Sequence, residues 1–423
     1  MPDPQGITSF KQFLDHVNNS KHADFLGKAT SKVAREDAFA EMRAHILKLY
    51  ANTEAPHSFV DENGSIFDCI PIEQQPSLKG ARAPIPKAPD LPRPEAPMAG
   101  GQAADDKKDQ PVPAQLGPDK KDKHGNVMQC PAGTIPIRRV TLEDMSRFEN
   151  LRGFLRKTPT GGAEPPRANT APMGQAVAAT HRWAHAFQNV SNVGGHSFLN
   201  LWQPAIGANQ VFSLSQHWYA GGSGNGLQTA EVGWQVYPQF YGNNRPVFFI
   251  YWTADGYNNT GCYNLTCSAF VQTNNSWAIG GAIPQPYSTM NGNQYSLEVA
   301  YYLSGGHWWL YVKGTQAANA IGYYPVSIYN NGALAGHASS IDYGGETVGT
   351  TSFPPMGSGA FANQGFGKAA YQRQIYYFPT AGGSAWANLT ASQSWPNCYT
   401  AQLNTYASPW NASLWFGGPG GNC

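Results

Sequence analysis

The chain has 423 residues, a formal net charge of +1 and 13% aromatic residues, with 46 Gly and 32 Pro. This length argues for two or three domains, and the near-zero charge gives no electrostatic support to a nucleic-acid or polyanion role. No stretch approaches the ~20 apolar residues of a membrane span. Met1-Pro2-Asp3-Pro4-Gln5 lacks the apolar core of a secretory signal. The protein is therefore expected either to be cytosolic or to have lost a signal.

From the N-terminus, Ser9 to Val17 reads as a helix with Phe10, Phe13, Leu14 and Val17 on one face. Arg35 to Ala51 reads as a second, with Phe39, Met42, Ile46, Leu47 and Tyr50 at helical spacing. Phe59 to Ile72 alternates around Asn63-Gly64, a hairpin turn signal. Lys79 to Asp122 is dominated by Pro, Ala, Lys and Asp, the composition of a disordered or extended linker. Cys130 to Arg139 reads as a strand, and Thr141 as the N-cap of a helix over Leu142 to Leu155 with Asp144 in the capping box. Thr158 to Gln175 is Pro/Gly-rich, a boundary open to proteolysis.

Near Ala178 the composition changes. Downstream the only carboxylates are Glu231, Asp255, Glu298, Asp342 and Glu346, and the only Lys and Arg are Arg182, Arg245, Lys313, Lys368 and Arg373. A soluble surface normally carries far more, and a surface poor in carboxylates suits an acidic medium. Short aromatic runs such as Val247 to Trp252, Tyr295 to Tyr302, His307 to Val312 and Gln374 to Phe378 alternate with Gly, Asn and Pro. The fold class expected is mainly β: an antiparallel β-sandwich or jelly roll preceded by a small α+β domain. The expected organisation is 1–78 (helices plus hairpin), 79–125 (linker), 126–177 (strand, helix and Pro/Gly-rich boundary) and 178–423 (sandwich domain).

Few acids leave a short list of candidates for acid/base chemistry. With Ala230 to Tyr237 as a strand, Glu231, Gly233, Gln235 and Tyr237 share one face, and Val232, Trp234 and Val236 the other. Glu346 follows two glycines, which permit close backbone approach. Two carboxylates in one cleft would split their pKa values, one serving as base and one as acid. The competing reading is two ordinary surface glutamates. Glu298 is expected to point to solvent, Asp255 to occupy an Asp-Gly turn, and Asp342 to be a strand-end charge or a support for Glu346. His181-Arg-Trp-Ala-His185 lacks the Glu of a zinc-protease helix and is read as packing or surface. Trp252, Trp308, Trp309 and Trp395 suit core better than a sugar platform.

Six cysteines allow 15 pairings. The simplest is Cys69–Cys130, Cys262–Cys267 and Cys398–Cys423, against six free thiols in a cytosolic protein. A metal site is disfavoured, because the Cys262/Cys267 pair has no second Cys or His pair at zinc spacing. Sequons at Asn18, Asn63, Asn189, Asn258, Asn264, Asn274, Asn388 and Asn411 lend weak support to secretion.

Several blocks, in order, resemble the neprosin family of glutamic peptidases. They are Phe212 to Trp218, Thr229 to Pro238, Tyr251 to Tyr257, Thr260 to Cys267, Trp308 to Leu310, Ile321 to Pro325, Gly344-Gly345-Glu346 and Met356 to Gly359. Upstream, Asp68-Cys69-Ile70 and Cys130 to Arg139 resemble that family's activation segment. The resemblance implies a secreted zymogen whose propeptide is removed in acid, releasing an acid-active peptidase that cuts after proline. It places the catalytic pair on Glu231 and Glu346. Tyr343 stands where the family often has Trp. Within that picture Gln235 would orient the water or stabilise the oxyanion, and Tyr237, Trp252 or Tyr343 would line the proline pocket. Pro159, Pro165, Pro166 and Pro172 would be autocleavage points. The partners implied are proline-containing peptides or proteins and the chain's own propeptide, with no cofactor, metal, nucleic acid or membrane. Two other classes remain open: a glycan-active hydrolase using the same carboxylates, and a non-catalytic carbohydrate-binding protein.

Overall fold

The computed structural model describes residues 6–79, 84–96, 108–157, 179–405 and 408–422. Helix α1 (Phe10–Asn19) starts at Ser9, whose hydroxyl accepts from the Gln12 amide in a capping box. It packs with α2 (Glu36–Leu49), burying Phe10, Phe13, Val17, Phe39, Met42 and Ile46. The hairpin β1 (His57–Val60) and β2 (Ile66–Pro71) turns at Asn63-Gly64, with Gly64 at φ +85°. Strand β3 (Asp109–Pro111) follows, and then β4 (Thr134–Arg138), which joins β2 to complete a three-stranded sheet.

The single helix expected after Thr141 is two short ones, α3 (Leu142–Ser146) and α4 (Leu151–Leu155). The break has a local cause. Asn150 adopts extended backbone and its side chain accepts from the Gly153 N–H at 2.8 Å, capping a new helix.

The rest is β. Strands β5 (Thr180–Asn200), β6 (Gln210–Gly221), β7 (Gln228–Val236), β8 (Val247–Thr253), β9 (Cys262–Tyr263) and β10 (Val271–Gln272) come first. After them come β11 (Gln294–Ser304), β12 (His307–Val312), β13 (Ala320–Pro325), β14 (Ala338–Gly349) and β15 (Ala370–Pro379). The short β16 (Ala385–Trp386), β17 (Thr390–Gln393), β18 (Thr400–Thr405) and β19 (Ala412–Gly417) close the chain. The main path runs β10-β13-β12-β11-β5-β14-β6-β7-β8-β9, within a 16-stranded sheet that curls into the expected sandwich. Strand β5 serves both layers: residues 180–192 pair with β14, and residues 194–200 with β11 and β15. Gly194, at φ +122°, marks the change, where a Cβ would collide with the Tyr301 carbonyl.

Composition suggests a disordered or extended linker over 79–125. In its described parts this stretch is extended and straps the sandwich. Leu91 is buried and its N–H donates to the Thr315 carbonyl, and the Tyr311 hydroxyl donates to the Pro89 carbonyl. Asp109 to Pro111 adds a parallel strand beside Gln294 to Ser296. Proline has no N–H to leave unpaired, so a proline-rich extended rail fits against a sheet with few donors to satisfy.

Two disulfides are formed between described residues, Cys69–Cys130 and Cys262–Cys267. Cys398 is disulfide-bonded, and Cys423 lies outside the described residues. So do Pro159, Pro165, Pro166 and Pro172. Among the described residues no helix is long and apolar enough to cross a membrane.

The N-terminal sheet is locked by a buried ion pair. Arg139 donates to Asp68 through Nε at 2.8 Å and Nη2 at 2.5 Å, and the Ser58 hydroxyl donates to Asp68 at 2.6 Å. Arg139→Ala would leave the Asp68 carboxylate buried without its cation, at a cost of about 3–5 kcal/mol. Chemical denaturation of the full chain is expected to show that loss; a change below about 1 kcal/mol would mean the pair is solvated.

Candidate active site

The register of three strands brings the two glutamates together. Glu231 on β7 pairs with Trp218 on β6, and Trp218 pairs with Asp342 on β14. Paired residues point to one face, so Glu231 and Asp342 share a face across β6. Glu346, four residues beyond Asp342, lies on that face too. Both glutamates are completely buried.

The glycines beside them serve the sheet. A Cβ at Gly233 would collide with the Ser215 carbonyl of β6, and one at Gly344 with the Ala184 carbonyl of β5. They allow the neighbouring backbones to approach; the space is filled by protein.

What joins the carboxylates comes from the N-terminal unit. Lys157, two residues beyond α4, places Nζ 2.7 Å from Glu231 Oε2 and 2.8 Å from Glu346 Oε2. Its side chain is 2% exposed. Neighbouring contacts pin α4 in place. Phe154 stacks on Phe240 at 4.9 Å, and the Arg152 and Arg156 guanidiniums both donate to the Asn258 carbonyl. The Lys157 N–H donates to the Tyr251 hydroxyl at 3.1 Å, and the Tyr263 hydroxyl donates to the Lys157 carbonyl at 3.3 Å.

Each glutamate has further partners. Glu231 Oε1 accepts from the Thr229 hydroxyl at 2.8 Å and the Tyr257 hydroxyl at 2.7 Å. Glu346 accepts from Gln216 Nε2 at 3.2 Å and meets His181 Nδ1. Burial alone would raise the Glu346 carboxyl. The ammonium of Lys157 and the imidazole of His181 outweigh it and hold the group at about 2.

The remaining sequence candidates fall in different places. Gln235 shares the face of Glu231, and its amide donates to the Tyr263 hydroxyl at 3.2 Å. Tyr237 is enclosed by Phe148, Phe212, Phe240 and Tyr263, so it is core and not pocket lining. Trp252 and Tyr343 are corrected as well. Trp252 pairs with Ala230, on the face opposite Glu231, and packs on Tyr324 and Tyr329. Tyr343 is an odd step from Glu346 and lies 4.8 Å from the His217 ring between the layers. Their period-2 phase excludes both from the carboxylate face. The aromatics that do occupy it include Trp183, Trp218, Tyr251 and Tyr263, with Phe187, Phe212 and Phe249 farther along the same strands.

Two further expectations change. Glu298 is not a solvent-facing acid: it meets His196 Nε2 at 3.0 Å and Arg93 of the strap at 3.7 Å. Burial raises its carboxyl, but the His196 hydrogen bond and nearby cations outweigh this and hold it low. His181 and His185 are not idle packing residues. His181 meets Glu346, and His185 Nδ1 lies 2.7 Å from Asp342. Asp255 does hold a turn, accepting from the N–H groups of Asn258, Asn259 and Thr260.

Sequence reasoning missed Lys157, His181 and Gln216. The available signal for Lys157 was weak: a basic pair, Arg156-Lys157, directly before the Pro/Gly-rich stretch. Gln216 stands in the Phe212 to Trp218 block, two residues from Trp218 and hence on its face.

Fold and site together define a two-layered β protein with a buried carboxylate pair on one sheet face. Residues 209–419 match the family model described as Neprosin, and through this domain the chain belongs to the neprosin family. Solved structures with similarity include scytalido-glutamic peptidase with a transition-state analog inhibitor, at 9% identity and a TM-score of 0.33, covering 56% of this chain and 98% of that one. The same peptidase with a peptide-based transition-state analog gives 10% identity and 0.32, with the same coverage. SCP-B, a member of the Eqolisin family in complex with the tripeptide Ala-Ile-His, gives 8% and 0.30 at 56% and 98%.

Because Glu346 has its pKa lowered from 4.5 to about 2, its ionic contacts stabilise the folded chain fully above about pH 4.5 and are lost as pH falls toward 2. The contribution is on the order of 3 kcal/mol. Lys157→Met should therefore unfold at lower denaturant than wild type near neutrality, with the gap closing between about pH 4.5 and 2. A gap independent of pH would show that Lys157 contributes packing alone.

Proposed function

We propose that the chain is the latent precursor of a secreted glutamic endopeptidase that hydrolyses peptide bonds on the C-terminal side of proline. One observation carries this reading: Glu231 and Glu346 converge on the single Lys157 ammonium in an otherwise buried site. The same lysine explains latency. It bridges both carboxylates, offsetting one of their two charges, and occupies the space a water and a scissile carbonyl need.

Once Lys157 is withdrawn, two adjacent carboxylates cannot both remain ionised at little cost. His181 stays beside Glu346 and favours its anion, whereas Glu231 keeps only the neutral donors Thr229 and Tyr257. Glu346 is then the base that takes a proton from the attacking water. Glu231 donates its proton to the carbonyl oxygen. As the C–N bond breaks, the proton that Glu346 took from the water passes to the leaving nitrogen, and the intermediate's hydroxyl returns a proton to Glu231 as the carboxylic acid product forms.

Release in acid is consistent with the interface. His45 is mostly buried and donates from Nε2 to the Thr266 carbonyl of the sandwich at 2.8 Å. Burial lowers its pKa, with Lys48 adding to this and the Thr266 bond and Glu41 opposing it. Docking therefore keeps this support above about pH 6.5 and loses it as pH falls toward the depressed value. Asp61 at the same interface works the other way, since burial raises its carboxyl. The disulfides and the scarcity of charge in the C-terminal half fit an oxidising, acidic destination.

A quenched peptide containing proline, assayed from acid to neutral pH after acid exposure, tests the proposal. Cleavage after proline is expected in wild type, with Glu231→Gln and Glu346→Gln each slower by about 10³-fold or more. Full activity in either variant would remove the dyad, and equal cleavage after other residues would remove the proline preference. Hydrolysis of an oligosaccharide and not of the peptide would point to glycan chemistry. Lys157→Met is expected to become active at higher pH than wild type, and His45→Asn at lower pH, both read from the pH at which cleavage begins.

A further inference from the structure

Lys157 does more than insert its side chain. Its main chain is held on both sides by tyrosine hydroxyls of the sandwich: Tyr251 accepts its N–H at 3.1 Å and Tyr263 donates to its carbonyl at 3.3 Å. Neither contact depends on the identity of the residue held, because N–H and C=O are common to almost every residue. The two tyrosines are in line with the site. Glu231, Tyr251 and Tyr263 are successive register partners across β7, β8 and β9 and share one face.

The surroundings build these hydroxyls into position. The Gln235 amide donates to the Tyr263 oxygen at 3.2 Å, which directs the tyrosine's own proton toward the carbonyl it meets. The Cys262–Cys267 bridge closes the turn that carries Tyr263. Gly261, at φ +111°, leaves room for the Trp252 carbonyl and the Tyr251 hydroxyl, which a Cβ would meet at 2.5 and 2.7 Å.

We propose that Tyr251 and Tyr263 form a main-chain clamp that registers any peptide in the cleft, holding one residue by its N–H and its C=O so that its neighbouring atoms face Glu231 and Glu346. The inference rests on the peptidase reading and adds to it the residues that position the substrate. Lys157 is held as a substrate residue would be, with an ammonium in place of reactive groups. The clamp also carries a selectivity. Proline has no N–H, so a peptide with proline in the clamped register makes the Tyr263 bond and not the Tyr251 bond.

The test uses the full chain carrying Tyr251→Phe or Tyr263→Phe, with two readouts. Without any substrate, hydrogen exchange at the Lys157 amide in segment 151–157 should quicken by roughly 3- to 10-fold in both variants, the worth of one hydrogen bond. After acid exposure, kcat/KM on a peptide series should fall by a similar roughly 3- to 10-fold factor, mainly through KM. In the series one position at a time is N-methylated or replaced by proline. At one register the Tyr251→Phe penalty should vanish while the Tyr263→Phe penalty persists, a pattern a general loss of packing would not produce. Unchanged exchange and unchanged kcat/KM in both variants would overturn the clamp. So would a Tyr251→Phe penalty that is the same at every register. A chain that cleaves no peptide, yet loses protection at Lys157 in both variants, would keep the clamp and overturn the peptidase reading.

Discussion

Two carboxylates and one ammonium, all removed from water, hold this molecule in the form described. Burying Glu231 and Glu346 on one sheet face would be costly without compensation, since their charges repel and the site offers little solvent. Lys157 supplies that compensation from a different part of the chain. The hydroxyls of Thr229 and Tyr257, the amide of Gln216 and the imidazole of His181 complete the coordination of the carboxylate oxygens. The N-terminal unit is thereby anchored on the sheet face that carries both glutamates.

The sheet makes this possible through parity and spacing. Strand β6 lies between β7 and β14, so residues in register across it present Glu231 and Glu346 to the same side without any loop having to deliver them. Sites built on strands hold their geometry better than sites on loops. Gly233 and Gly344 let adjacent backbones approach to the distance the register requires. The opposite face of the same strands carries Val232, Trp234, Trp252 and Tyr343 into the interlayer core, so one stretch of sequence supplies the site and the packing that stiffens it.

The scarcity of charge in the sandwich acquires a meaning from its partners. Several of its few charged groups meet oppositely charged residues of the N-terminal half: Glu231 and Glu346 meet Lys157, Glu298 meets Arg93, and Arg373 meets Asp109 at 2.7 Å. Asp342 is held by His185 and Asp255 by its own turn. The two halves are electrostatically complementary, and the Pro-rich strap that composition marks as a linker carries two of these partners, Arg93 and Asp109.

Much of this was legible before any fold was known. Period-2 alternation set the strand through Glu231 and its two faces, the capping residues Ser9 and Thr141 set helix starts, and Asn63-Gly64 set the hairpin, because each of these signals is local. The small number of acids made Glu231 and Glu346 conspicuous, and the ordered motifs pointed to the family. The tertiary structure alone decided that the two glutamates meet, since register between strands more than 100 residues apart depends on packing that no local pattern encodes. It also decided that Lys157 joins them, that His181 and Gln216 support Glu346, and that Trp252 and Tyr343 turn away. A side chain's partner across a curled sheet depends on how the whole sheet closes, and the sequence around Lys157 carries no periodicity that anticipates that closure.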